Sequence, residues 1–427
     1  MRSPDERSRT ARRAAVGAVT FAVSALAVGV LRARSCSHTH GADVPQPVVE
    51  AAEPVDASDD ANAPLSARCG DREGLALPPG AYEMGDALVT NDRVFVGVAH
   101  DVGGKHKGAL VTLVRDGDVL STPTLEDVDD LLPDAPPPKA LLFGGKPTLA
   151  MYVPQKGTRA LAFGPMRIPQ QSDGSFAFDA ATQGEAGAVV WDEDAANAPR
   201  GVVKLATLPF APEGQPLVIS GDASNADSPR VALRPGGYWV AWLARKAEAE
   251  RDAAPELEGP GEKRQLTWLE VAQVDANGHT VGAPMRIAKA GARVESFDML
   301  AHDDALDVLV KDDEQPGDDE GSRLVLVTLR GGDAGVRVIA ERGVGRGVPD
   351  LLGARAVFVD LADHARLLPI AAGGRASLEP ELDNARPLAL LDRSVLAGFP
   401  KDSTRPLGVL RCFDAPRAPA GPLRGKQ

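Results

Sequence analysis

Residues 274–287 read VDANGHTVGAPMRI, and this stretch decides the fold class. Its Asp275-Ala276-Asn277-Gly278 segment is typical of a tight hairpin turn, because Asn-Gly supplies the positive-φ positions that such turns need. The PMRI run at 284–287 also occurs at 165–168. A strand, a turn and a further strand are therefore predicted to recur along the chain.

Two more segments repeat in the same order. Residues 189–194 (VVWDED) are matched by 309–314 (LVKDDE), and residues 203–208 (VKLATL) are matched by 324–329 (LVLVTL). The offset drifts only from 119 (284 − 165) to 121 (324 − 203). Three ordered matches at a nearly constant offset indicate an internal duplication built from smaller units.

Seven such units can be counted along the chain, about fifty residues apart. Their first strands are predicted near Val94, Leu149, Val189, Trp239, Val308, Val357 and Val395. Short apolar runs separated by Gly, Pro and Asp clusters, without a long helical period, predict an all-β chain. We expect a β-propeller of seven blades, with six to eight left open, because a blade buries its faces only by stacking in a ring. Two separate β-sandwich domains fit the length but not the repeat offset.

On the blade-like unit over residues 66–415 and the VDANG turn followed by VGAPMRI, the chain resembles exported bacterial β-propeller repeat proteins. It lacks a repeated Trp-Asp signature and a double glycine in every unit, and its aromatic content is only 4%. The resemblance implies the fold and carries no activity with it.

The amino-terminal region predicts export. Residues 14–31 form an apolar run without charge, flanked by arginines, which indicates an apolar helix. Residues 1–35 therefore form a signal peptide or a signal anchor, and both remain open. Residues 36–65 are predicted to form a disordered Ala/Pro/Asp-rich linker, and residues 416–427 are predicted to form a flexible tail. We expect a periplasmic or extracellular protein, with anchoring to the inner membrane by residues 14–31 as the membrane-bound alternative.

Two of the three cysteines, Cys69 and Cys412, bracket the repeat region. In an oxidising compartment they are predicted to form a disulfide that holds the first and last segments together; two unpaired buried thiols are the alternative. Cys36, just after the apolar run, is a candidate lipidation site, with an unmodified cysteine near the membrane as the alternative.

Two acidic stretches are candidate ligand or metal sites. A calcium ion would use their carboxylates, although the spacing matches no EF-hand, and a solvated charge run is the alternative. The candidate residues are Asp192, Glu193, Asp194, Asp312, Asp313, Glu314, Asp318, Asp319 and Glu320. Both stretches belong to variable polar loops that are predicted to join the first and second strands of their units and to lie on one face of the propeller.

Composition and motifs limit the function. The net charge of −13 and the pI near 5.1 argue against nucleic acid as a partner. The sequence contains no G-x-S-x-G, H-E-x-x-H or P-loop, so no catalytic residue is assigned and no cofactor other than Ca²⁺ is considered. We expect a monomeric, non-catalytic binding or scaffold module of the bacterial cell envelope, with an envelope protein or glycan as partner. The alternative is a glycan-directed hydrolase or lyase that uses carboxylates in the central pocket.

Overall fold

Seven antiparallel sheets follow one another along the chain, and each is one blade of a β-propeller. The computed structural model describes residues 65–117, 119–156, 158–170, 176–195, 200–210, 214–221, 224–246, 267–287, 293–302, 305–313, 321–331, 333–370, 382, 385–391, 394–399 and 405–413. No helix among these residues is long and apolar enough to cross a bilayer. The apolar run 14–31, Cys36, the linker up to residue 64 and the tail 416–427 lie outside them.

The strands of the first four blades follow the chain after β1 (Leu65–Leu75). Blade 1 contains β2 (Tyr82–Val89), β3 (Arg93–Val102), β4 (Lys105–Asp116), β5 (Val119–Leu120) and β6 (Thr124–Asp130). Blade 2 contains β7 (Lys139–Phe143), β8 (Lys146–Gln155), β9 (Thr158–Phe163) and β10 (Met166–Pro169). Blade 3 contains β11 (Phe178–Gln183), β12 (Ala186–Asp194), β13 (Gly201–Leu208) and β14 (Leu217–Val218). Blade 4 contains β15 (Ser224–Arg234), β16 (Gly237–Lys246), β17 (Thr267–Asp275) and β18 (Met285–Arg286).

The last three blades complete the ring. Blade 5 contains β19 (Val294–His302), β20 (Ala305–Asp312), β21 (Ser322–Arg330) and β22 (Asp333–Val344). Blade 6 contains β23 (Asp350–Leu352), β24 (Arg355–Val359) and β25 (Ala365–Pro369). Blade 7 contains β26 (Arg386–Leu390), β27 (Ser394–Gly398) and β28 (Leu407–Phe413), with β1 as its outermost strand.

The ring closes by pairing the first strand with the last. β1 runs antiparallel to β28, with Leu75 opposite Leu407. Cys69 and Cys412 form a disulfide across the same two strands, at a sequence separation of 343 residues. The predicted bond and the predicted closure of the last blade by the amino-terminal segment are both confirmed.

Apolar side chains fill the junctions between neighbouring blades. Alternation along β16 shows how: Tyr238, Val240 and Trp242 pack toward blade 3, whereas Trp239 and Ala241 pack toward blade 5. Successive side chains of a strand point to opposite faces, so a central strand rich in apolar residues supplies two junctions at once. Equivalent clusters join every other pair of neighbouring blades, including blades 7 and 1.

The sequence prediction identified the seven blades correctly, but it assigned the wrong position within the blade to the strands that it named. All seven runs predicted as first strands are second strands, because each sheet begins with an inner strand that the pattern did not reveal. These inner strands interrupt their apolar residues with charge, which hides them from a search for continuous apolar runs. The internal duplication corresponds to a shift of two blades, since its copies lie in β10, β12 and β13 and then in β18, β20 and β21.

We predict that reducing agent lowers the melting temperature of the protein. The chain-entropy model assigns a bond closing so long a loop about 6 kcal/mol of stability. The measurement is a thermal melt with and without reductant. A Cys69→Ser/Cys412→Ser variant is the control and should melt at the reduced wild-type temperature in both conditions. An unchanged wild-type melt in reductant would show that the bond does not hold the ring closed.

Candidate functional site

A central pocket of about 600 Å³ lies where the inner strands of the blades meet. Each of the seven inner strands contributes one charged residue to its wall. In ring order these residues are Asp86, Lys139, Asp179, Arg230, Asp298, Asp350 and Arg386. The sequence prediction named none of these residues. Its candidate sites were the two acidic stretches, which do not include the charged residues of the central pocket.

The pocket faces the side of the ring on which the inner strands begin. Pro349 and Asp350 lie at the start of β23, Arg386 lies at the start of β26, and Asp363 lies in the turn after β24. The two acidic stretches singled out in the sequence begin at the ends of the second strands β12 and β20, which lie on this same side. The prediction that these stretches follow first strands is wrong, because each sheet begins with an inner strand that the sequence pattern did not reveal. The pocket extends toward blades 6 and 7, where β23 is only three residues long.

Local backbone irregularities place the ring residues of blades 1 and 2. The β2–β3 register shifts between Met84 and Ala87, which puts Asp86 in a bulge. A Cβ atom at Gly97 would lie 2.0 Å from the carbonyl oxygen of Pro138. Blade 2 can therefore bring the residue before Lys139 against blade 1 only because this position lacks a side chain.

A second bulge places Arg230. The β15–β16 register shifts between Asp227 and Arg230, and Ser228 within this bulge has a φ of 52°. The Ser228 N–H donates to Asp192 Oδ2 at 3.2 Å, so a carboxylate of blade 3 holds the bulge of blade 4. Bulges redirect side chains, and this one turns Arg230 toward the pocket.

Carboxylates of the ring also hold the inner strand of the next blade. Asp179 Oδ2 accepts the N–H of Val231 at 2.8 Å, and Asp298 Oδ2 accepts the N–H of Leu351 at 2.7 Å. Each donor follows the ring residue of its own blade directly. These two bonds fix the backbone positions from which Arg230 and Asp350 extend.

Two ion pairs occupy part of the ring. Lys139 pairs with Asp179, whose side chain is buried. Arg386 pairs with Asp86 at 3.0 Å and donates to the Met84 carbonyl at 2.6 Å. Both side chains of the second pair remain about half exposed, at 54% and 56%, because they border the pocket.

The like-charged neighbours Asp298 and Asp350 share a hydrogen bond between their side chains. Burial raises the pKa of Asp350 well above its ordinary value, and the adjacent Asp298 carboxylate raises it further. Burial also raises the pKa of Asp298, with Arg230 partly offsetting it. Two adjacent carboxylates in a buried site cannot both ionise readily, so Asp350 carries the proton that it donates to Asp298.

Asp86 has the opposite electrostatic environment. Burial disfavours its ionisation, but Lys139, Arg386 and Arg230 outweigh burial and lower the pKa of Asp86 below its ordinary value. The environment of the pocket thus favours the neutral form of the Asp350 carboxyl group and the ionised form of the Asp86 carboxylate.

Arg230 is distinctive because its charge is surrounded but not bonded. Among the described residues, no side chain or carbonyl makes a hydrogen bond or ion pair with its guanidinium group. Burial lowers its pKa, but the carboxylates of Asp179, Asp298, Asp86 and Asp350 together raise it above the ordinary value. A guanidinium has five N–H donors, and those of Arg230 are available to a ligand in the pocket.

Part of the first acidic stretch makes contacts that hold neighbouring strands together. Asp192 and Glu193, at the end of β12, are buried, and Glu193 pairs with Lys204 of β13. Asp194 lies beside them, and the three line a separate cavity of about 200 Å³ that includes Arg245. The buried pair differs from a solvated charge run, because neighbouring strands of blades 3 and 4 supply its partners.

The second acidic stretch is described only at its start. Asp312 Oδ2 accepts from Arg323 Nη2 at 3.0 Å, and Asp313 lines a cavity of about 440 Å³ between blades 4 and 5. The remaining candidates, Glu314, Asp318, Asp319 and Glu320, lie outside the described residues. Within the described part of the chain, no group of three or more His, Cys, Asp or Glu side chains is arranged to hold a metal ion. Blade 4 separates the two acidic strand ends, so the described acids do not form one cluster.

Comparison with known proteins finds distant structural likeness. No protein-family model matches the chain. No curated protein sequence matches it. A prolyl endopeptidase structure is 16% identical with a TM-score of 0.45, over 75% of this chain and 45% of that one. The chain therefore spans less than half of that enzyme.

Two other structures are covered almost fully. The endo-arabinase from Bacteroides thetaiotaomicron VPI-5482 is 11% identical with a TM-score of 0.34, over 81% of this chain and 99% of that one. A neuraminidase-like protein from A/bat/Guatemala/164/2009 is 11% identical with a TM-score of 0.39, over 82% and 96% of the two chains. TM-scores this low carry no argument about the function of this chain.

We predict that Asp350→Asn flattens the pH dependence of stability. Asp350 has a raised folded-state pKa, so its contribution to stability is fully present below the unfolded pKa, about 3.9, and is lost as pH rises through the folded pKa. Asparagine keeps a donor to Asp298 and cannot ionise. The free energy of unfolding, measured by urea denaturation from pH 4 to 8, should fall more in the wild type than in the variant.

The control for this measurement is Asp116→Asn, which removes one carboxylate from the exposed end of β4. Its curve should run parallel to the wild-type curve. Parallel curves for wild type and Asp350→Asn would contradict the assignment of the proton to Asp350.

Proposed function

We propose that this protein is a non-catalytic binding module of the bacterial cell envelope, and that its ligand occupies the central pocket. The observation that carries the proposal is the unbonded guanidinium group of Arg230 in a pocket walled by all seven blades. The guanidinium group faces the pocket without a protein acceptor, so a ligand with acceptor oxygens could receive hydrogen bonds from its N–H donors.

The dimensions of the pocket support a small ligand or the end of a chain. Its volume of about 600 Å³ lies in the range of about 300–1,000 Å³ that small-molecule sites occupy. The second strands of blades 3 and 5 end in acidic residues on the same side of the ring, and these residues would contact a larger partner. An envelope protein or a glycan could use both surfaces together.

The disulfide supports the proposed location. Such bonds persist in oxidising compartments, which include the periplasm and the extracellular space. Delivery there would depend on residues 14–31, either as a cleaved signal or as an anchor in the inner membrane. We propose a monomer, since apolar clusters of the described residues fill all seven junctions between blades.

A glycan-directed hydrolase or lyase is the second candidate. One observation favours it: the pocket holds a neutral carboxyl at Asp350 and an ionised carboxylate at Asp86, the division of labour that acid–base catalysis uses. Glycosidases place their two carboxyls about 5–9.5 Å apart, whereas Asp298 and Asp350 are hydrogen-bonded and Asp86 is paired with Arg386. Release of reducing ends from an oligosaccharide by the wild type, but not by Asp350→Asn, would favour this candidate over binding alone.

We predict that Arg230→Met abolishes ligand-induced stabilisation. A ligand at about 100 times its dissociation constant should stabilise the wild type by about 2.7 kcal/mol. The measurement is a thermal-shift screen with calcium, peptidoglycan fragments, and neutral and acidic oligosaccharides. Loss of the Arg230 donors should remove the shift given by the active ligand.

The matched control is Lys146→Met, which removes one positive charge at the start of β8, away from the pocket. This variant should respond to ligand like the wild type. An active ligand whose shift survives Arg230→Met would place binding elsewhere and contradict the proposal, as would a full panel without any shift.

A further inference from the structure

The charges of the seven ring residues balance, and Asp363 in the turn after β24 adds one further carboxylate to the pocket lining. Asp86, Asp179 and Asp298 are negative, Lys139, Arg230 and Arg386 are positive, and Asp350 is neutral while it donates its proton to Asp298. A site whose positive and negative charges are nearly equal in number attracts a charged ligand only weakly at long range. The affinity of the central pocket for a ligand must therefore come from hydrogen bonds and van der Waals contacts.

We propose that the central pocket recognises a neutral, polyhydroxylated ligand and discriminates against charged analogues of the same shape. This inference rests on the proposed function and adds the chemical class of the ligand. A hydroxyl group both donates and accepts, so one sugar or polyol can satisfy the Arg230 donors and the neighbouring carboxylates at once.

An anion at Arg230 would meet repulsion. The anion would lie beside Asp86, Asp179 and Asp298, three of the carboxylates whose field acts on the guanidinium. Lys139 and Arg386 could not neutralise it without leaving Asp179 and Asp86. An acceptor without net charge avoids this penalty and still receives the N–H bonds.

A cation would meet the opposite problem. It would have to lie beside the unbonded guanidinium of Arg230, which cannot lose its proton in a protein. Asp179 already accepts from Lys139 and from the Val231 N–H, and Asp298 accepts from the Leu351 N–H. The carboxylates therefore have acceptor capacity for hydroxyls, and within the described part of the chain they form no group of three that could hold a metal ion.

The pocket wall supplies donors, acceptors and apolar surface close together. Asp86 and Arg386 border the pocket, half-exposed, and provide an acceptor and a donor side by side. Val348, Pro349 and Phe358 line the part toward blades 6 and 7. Such a wall matches a sugar ring, whose hydroxyls point outward from C–H faces.

The test uses sets of three sugars that share ring stereochemistry and differ only in charge. The sets are glucose, glucuronate and glucosamine; galactose, galacturonate and galactosamine; and mannose, mannuronate and mannosamine, with myo-inositol as a free polyol. Each is titrated by calorimetry into the full-length protein, into Arg230→Met and into the control Lys146→Met, at 50 and 500 mM NaCl.

The inference predicts that a neutral member of one set, or inositol, binds at least tenfold more tightly than its charged counterparts. This binding should disappear in Arg230→Met, persist in Lys146→Met, and change less than about twofold with salt, because no net charge is screened. A uronate or amino sugar that binds most tightly through Arg230 would overturn the inference and leave the proposed function standing. Absence of Arg230-dependent binding by every sugar and by the envelope fragments would overturn both.

Discussion

Each blade of this protein has two apolar faces, and this constraint closes the chain into a ring. A blade such as the third buries Trp191 on one side and Val190 on the other only because blades 2 and 4 cover them. The last junction forms when blade 7 packs on blade 1, so the disulfide between Cys69 and Cys412 secures the step on which all the others depend. Stability in such a fold is a sum over neighbouring interfaces, and an open ring would lose one interface and expose the two apolar faces that form it.

Ring closure also brings seven charged side chains to one axis, and the odd number has a consequence. Opposite charges can alternate without conflict around an even ring, whereas seven positions force at least one like-charged neighbouring pair. Here that pair is Asp298 and Asp350, and a hydrogen-bonded proton relieves the repulsion. Three positive and three negative charges remain, of which only Arg230 lacks a bonded partner among the described residues. The charges of the ring residues compensate one another, but the N–H donors of Arg230 have no acceptor among the described residues. The proposed ligand site follows from these unused donors.

The sequence was sufficient for the blades because second and third strands carry continuous apolar runs, as in VVWDED and VKLATL. It was also sufficient for the disulfide, since the two cysteines bracket the repeats. It did not reveal the inner strands, in which a charge such as Asp179 or Arg230 interrupts a short segment and resembles loop composition. A signal was present: the ring charges of blades 2 to 5 precede their second-strand partners by a constant interval. These pairs are Lys139 and Ala150, Asp179 and Val190, Arg230 and Ala241, and Asp298 and Leu309. Only the register shows that these charges meet, because convergence of seven strands on one axis is a property of the closed ring.

The most direct test is a crystal structure of the protein with the ligand that gives the largest shift in melting temperature. The account predicts ligand density in the central pocket, with acceptor oxygens within hydrogen-bond distance of the Arg230 guanidinium nitrogens. Ligand density confined to the polar loops or to the cavities between blades 3, 4 and 5, with the Arg230 guanidinium uncontacted, would contradict it.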